Sequence, residues 1–133
     1  LLWGLAGYAV FFVAPALGLP PEIPGAEAAA FESRRLWWVF TVVSTAAGFA
    51  LLAFGRSPWR WVGLALVAVP HVIGAPHLGT SPFADYPAQA AGRMTALARD
   101  FVWATALANA AFWLALGALS GWAAKRYVKE ALA

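Results

Sequence analysis

Cysteine is missing from the chain, and charge is scarce. The first absence excludes disulfides, thiolate metal sites and cysteine nucleophiles. The second is more telling. Charged residues make up 11% of the 133 residues, against about 25% in ordinary soluble domains. An ordinary water-soluble globule is excluded, and so is a disordered tail. No glycine-rich phosphate loop appears, so ATP hydrolysis is not expected. Gly-x-Ser-x-Gly and His-Glu-x-x-His are absent too. The carboxylates fall in loops and at helix ends, not in an apolar pocket that would make a general acid, so the chain reads as a non-enzyme. Its nine Lys/Arg are scattered at the ends of apolar runs, whereas a nucleic-acid footprint would gather them on one face. The N-terminus has neither a methionine nor a basic leader. The numbering is therefore expected to begin inside or just before a membrane helix, with upstream sequence missing.

What is present is apolar. Hydrophobic residues reach 62% and the mean hydropathy is +0.70. Four apolar runs stand out: Leu2 to Leu19, Leu36 to Phe54, Trp59 to about Gly74, and Phe101 to about Ala124. Each approaches the ~20 residues a helix needs to cross ~30 Å of hydrocarbon. The expected fold is all-α: a polytopic transmembrane bundle, residues 1–133 forming one membrane domain of about four spans plus a short interfacial helix.

Pro20, Pro21 and Pro24 rule out a membrane helix between the first two runs and make a stiff connection. Ala26 to Ser33 supplies the one or two turns expected to lie at the interface. In the next turn, Ser57 is placed to cap and Pro58 to occupy the first helical position. The third run is short and is broken by Pro70, His71 and Gly74-Ala75-Pro76. A short, Pro/Gly-interrupted apolar segment carrying an ionisable group points to a transport site. Pro87 is expected to start a helix at Ala88 that runs into the fourth span.

Four spans place Arg56, Arg60, Lys125, Arg126 and Lys129 on one side, and Arg34, Arg35, Arg93 and Arg99 on the other. Orientation follows basic residues, so the C-terminal tail is expected to be cytoplasmic. Trp3, Trp59, Trp61 and Trp122 would belt one interface; Trp37, Trp38 and Trp103 would belt the other. Only Trp113 would lie mid-span.

His71 is the first functional candidate, because an ionisable group at membrane depth is a functional hypothesis by default. Three roles are open to it: a hydrogen bond to a carbonyl freed by Pro70, a metal or substrate contact, or a proton relay. Neutral imidazole is the commonest metal ligand. His77 lies past the Gly-Ala-Pro turn. Both histidines, with an oxygen donor such as Glu22, Glu27 or Asp85, would make a loose N/O site for a divalent cation. As a lone residue, His77 reads as a solvated loop side chain. Asn109 is expected to bond between helices. Gly117-x-x-x-Gly121 and the small, hydroxylated stretch Thr41 to Gly48 are expected to let helices approach closely. The arginines read as interface anchors.

Several segments together resemble the CbtA family of proposed cobalt transporter subunits, which are bacterial inner-membrane proteins. They are Ala14 to Gly25 with its prolines, Arg35-Leu36-Trp37-Trp38 with Thr41 and Thr45, Pro70-His71-Val72-Ile73-Gly74-Ala75-Pro76, and Phe112-Trp113 leading to Gly117 and Gly121. The resemblance implies cobalt uptake linked to cobalamin supply, with Co²⁺ as the transported ion and no tightly bound cofactor. It implies a bilayer setting, a small His-bearing membrane partner, and further membrane sequence upstream. His71 falls in the family's Pro-His motif; His77 does not clearly belong to it. A metal site of His71, His77, Glu22 and Asp85 is the resulting expectation. The competing reading is a structural accessory subunit of a larger photosynthetic or respiratory membrane complex, contacting lipid or pigment. A chlorophyll-type magnesium on His71 would favour a small residue four positions earlier, where Val67 stands.

Overall fold

A computed structural model describes residues 1–131, with side chains described through Tyr127. The described residues form four helices and no strand. They are α1, Leu2–Gly18; α2, Phe31–Phe54; α3, Trp59–Ile73; and α4, Ala88–Ala131. The expected all-α class holds. Residues 31–54 and 88–127 are long and apolar enough to cross a bilayer, while α1 and α3 are apolar but shorter.

Proline chemistry explains much of the local structure. Pro15 has no N–H to donate, and the turn before it widens into a π segment, Ala9–Val13, where the Ala14 N–H bonds the Ala9 carbonyl. Past Gly18 the prolines hold the chain out of helix. Pro24 and Gly25, with φ +88° at the glycine, then make a turn closed by the Ala26 N–H on the Ile23 carbonyl. The interfacial helix expected over Ala26 to Ser33 is not formed. Residues 26–30 are irregular, and Phe31 to Ser33 are simply the first turn of α2. Ser57 does not cap α3 either. Pro58 sits just before the helix, and the backbone closes the turn through Trp59 N–H to Arg56 O and Trp61 N–H to Pro58 O.

Pro70 lies in the last turn of α3 and leaves the Leu66 carbonyl without its helical donor. Ser44 of α2 supplies one, its Oγ donating to Leu66 O at 2.6 Å. This corrects one of the three roles weighed for His71: the freed carbonyl goes to a serine on the neighbouring helix. The Pro70 carbonyl accepts from both Gly74 N–H and the Trp37 indole. Gly74 then stops the helix at φ +85°, ψ 149°, a conformation essentially reserved for glycine. Replacing Ser44 by Ala strands the Leu66 carbonyl, and its expected cost is about 1 kcal/mol. Unfolding by denaturing detergent in micelles measures it; an unchanged midpoint would mean that the carbonyl finds another donor.

The helices pack in a row, α3 against α2, α2 against the second half of α1, and the first half of α1 against α4. Glycines set both tight crossings. A Cβ on Gly48 would lie 2.8 Å from the Gly63 carbonyl, and one on Gly117 would lie 2.9 Å from Gly4 Cα. Gly121 meets nothing within 4 Å, so only half of the expected glycine pair is used. Within the Thr41–Gly48 stretch, Thr41, Ser44, Thr45 and Gly48 are buried while Ala46 and Ala47 are exposed. Asn109 bonds within its own helix, Nδ2 to Thr105 O at 2.9 Å, and not between helices. Tyr8 makes the long-range bond to that part of α4, its hydroxyl donating to Ala106 O.

The row leaves large apolar side chains facing outward along every helix. Only 6% of the most apolar stretch of α4 is buried. The core helix of a water-soluble protein would be mostly buried, so hydrocarbon is the surrounding that suits this surface.

Candidate functional site: a vestibule between the connectors

The α1–α2 and α3–α4 connectors meet at one end of the row. Glu27 N–H donates to Pro82 O at 2.9 Å, and the Tyr86 hydroxyl reaches Gly25 O at 3.4 Å. Ile23 from one connector and Phe83 from the other are buried. A short turn orders the second, with Ala84 N–H on Ser81 O and Tyr86 N–H on Phe83 O, and Tyr86 sets its ring edge to Phe83. On the inner side, Gly18 packs on the Trp37 ring and lies near Ala75, which ties both connectors to the start of α2.

Between them lies a cavity of about 420 Å³. Glu22 and Glu27 line it from the first connector, His77 and Thr80 from the second, and Arg99 from the outlying part of α4; Leu19, Ile23, Phe83 and Val102 form apolar wall. Of the four expected metal residues, the cavity gathers His77 and Glu22. Glu27, one of the oxygen donors weighed from sequence, joins them. The Glu22 carboxylate also accepts from Arg34 Nη2 at 2.6 Å, so part of its acceptor capacity is used. Asp85 is exposed in the second connector and does not line the cavity.

His71 lies elsewhere. It is half-buried in the last turn of α3, its ring edge-on to Trp37 at 6.2 Å between centroids. Among the described residues, no three His, Asp or Glu side chains are grouped to hold a metal ion. The loose site expected from both histidines plus a carboxylate is thus not assembled here. Arg99 carried no functional expectation beyond its side of the membrane. Nothing local marked it, because its place at the cavity depends on where the connectors meet α4.

Glu22, Glu27 and His77 line the cavity together with Arg99, and Arg34 holds Glu22 from beside it, so the two carboxylates stand against two guanidiniums. No curated protein and no solved structure matches the chain. The family model described as "Probable cobalt transporter subunit (CbtA)" matches residues 1–125, and the chain belongs to that family.

Proposed function

We propose that the chain is a multi-pass inner-membrane protein that admits Co²⁺ through the connector vestibule as one part of a cobalt transporter. The observation that carries this is the convergence of Glu22, Glu27 and His77 on one cavity at the end where the proline-broken α3 stops. All four helices cross in this arrangement. At ~1.5 Å per residue, the short α1 and α3 cover roughly 22–26 Å and use the connectors and tryptophans to complete the crossing. The vestibule faces outward and the C-terminal tail faces the cytoplasm. Supporting that orientation are Arg56, Arg60, Lys125 and Arg126 at the far end. Lys129, which entered the same count, has its side chain outside the described ones.

Because no three ligands are grouped among the described residues, coordination during transfer is completed from outside the chain. A small membrane partner bearing histidines has the right chemistry. Cobalt here is cargo, and the fold is not asked to hold it tightly.

Cobalt accumulation in cells lacking their own uptake system provides the test, with the partner proteins co-expressed. His77→Ala and Glu27→Gln are each expected to lower uptake about tenfold, in the range that supporting ligands show in metal sites. Unchanged uptake in both variants would remove the vestibule from the path.

A further inference from the structure

Glu22 stands in a wall shared by two cavities. Leu19, Pro20, Pro21 and Glu22 line the connector vestibule on one side and a second cavity of about 370 Å³ on the other. Arg34 lines the second cavity and not the vestibule. Its guanidinium thus holds Glu22 from beside the vestibule, Nη2 to Oε2 at 2.6 Å. The rings of Pro20 and Pro21 fix φ just before Glu22 and stiffen the backbone there. What can change sides is the carboxylate.

The pair is a weak form of its kind. Arg34 meets Glu22 through one nitrogen and one oxygen, not through the two parallel bonds that a guanidinium can give a carboxylate. Arg34 Nε is buried and finds no acceptor, a standing cost of keeping the guanidinium in place. The two side chains are 28% and 34% exposed, and ion pairs open to solvent contribute little. No neighbour shares the role. Arg35 is engaged by Glu32, one turn back on the same helix, and Arg99 is mostly exposed and lies beside Asp100. Glu27 has no ion-pair partner among the described residues, so Glu22 is the vestibule carboxylate already engaged.

We propose that Arg34 is a latch on the vestibule, a tethered cation that keeps Glu22 occupied until an arriving divalent cation draws the carboxylate away. The latch rests on the reading of the vestibule as the port for cobalt. At equal distance a divalent ion attracts the carboxylate twice as strongly as the single charge on Arg34 does, and a one-point, partly solvated pair is one that it can displace. Arg34 acts on the ion through Glu22 and is a positioning residue. It also lowers the affinity of the port, which lets the cargo move on. A mere brace between connector and α2 would have no such effect, and the two roles give opposite signs.

Initial rates of cobalt uptake against external cobalt, in cells co-expressing the partner proteins, give a half-saturating concentration that does not depend on how much protein reaches the membrane. Arg34→Gln should lower it about fivefold, the effect of one partly exposed charge. Arg34→Lys, which can keep the single bond, should restore the unsubstituted value. Glu22→Gln should raise it, and adding Arg34→Gln to that variant should change it by less than about twofold, because the partner it acts through is gone. The unsubstituted protein gives a second reading that no folding failure can mask. Cobalt-induced infrared difference spectra of the chain purified with its partners, carrying isotope-labelled arginine, should contain a guanidinium band that disappears in Glu22→Gln. Suppose Arg34→Gln leaves the half-saturating concentration equal or higher while Glu27→Gln and His77→Ala still lower uptake. The latch is then overturned and the vestibule stands. A difference spectrum without the arginine band overturns the latch as well, and so does a full fivefold effect of Arg34→Gln in the Glu22→Gln background, which would make Arg34 a distant field only. If Glu27→Gln and His77→Ala change nothing, the vestibule reading fails first and the latch falls with it.

Discussion

Gly48→Leu is expected to pull α2 and α3 apart. The glycine faces the Gly63 carbonyl and the Val67 side chain, and even a bare Cβ there would approach them to 2.8 and 2.7 Å. The Val67 methyl can rotate away, but the Gly63 carbonyl belongs to helix backbone and cannot move alone. Two effects oppose each other in the milder Gly48→Ala. Alanine favours helix over glycine by about 1 kcal/mol, whereas overpacking a tight contact costs about 1–3 kcal/mol. Net destabilisation is therefore expected for Ala, and about 3 kcal/mol for the larger Leu. Gly121→Ala is the control, because nothing lies within 4 Å of that position and only the propensity gain remains. Unfolding in micelles, followed by tryptophan fluorescence, separates the three. If Gly48→Leu unfolds at the same detergent fraction as Gly121→Ala, the crossing is looser than these distances imply.

How much of this was legible in sequence depends on whether the cause is local. Helices and breaks were readable, because hydropathy and proline act on neighbouring residues. The four apolar runs and the helix start at Ala88 follow from them. Ser57, Asn109 and Gly121 fared worse. Each carries a residue type with a known use, but the use is decided by what stands opposite. Pro58 and the turn backbone leave Ser57 no capping role. Asn109 finds its own Thr105 carbonyl, and Gly121 lies beyond the point where α1 crosses. The site divided in the same way. Pro70 signalled that a carbonyl would be freed, but nothing in the run from Trp59 to Gly74 indicated that Ser44, on another helix, would take it. Arg99 shares a cavity with Glu27 and His77 only because two connectors and the outlying stretch of α4 converge, a tertiary fact with no local signature.

The division of labour proposed for His71 and His77 turns on Trp37, and replacing Trp37 is the second large effect expected. Trp37 is buried near the start of α2. Its indole N–H donates to Pro70 O at 3.3 Å, its ring fills the space beside Gly18, and His71 stands edge-on to it. One side chain thus holds the end of α3, the end of α1 and the root of both connectors. Removing a buried aromatic costs about 3–5 kcal/mol in water-soluble cores. In a bilayer the transfer part shrinks while the cavity and the lost hydrogen bond remain, so about 3 kcal/mol is expected for Trp37→Ala. Trp37→Phe keeps most of the packing and forfeits the bond to Pro70, about 1 kcal/mol. His71→Phe keeps an aromatic edge against Trp37 and should cost less than either. Cobalt uptake should follow the same order, severe loss in Trp37→Ala and near-normal uptake in His71→Phe, because the vestibule walls hang from Trp37 while His71 only braces it. His77→Ala should invert the pattern, with unfolding unchanged and uptake reduced. Should His71→Phe abolish uptake while unfolding normally, the imidazole of His71 itself meets the ion, and the path runs through the broken end of α3 as well as the vestibule.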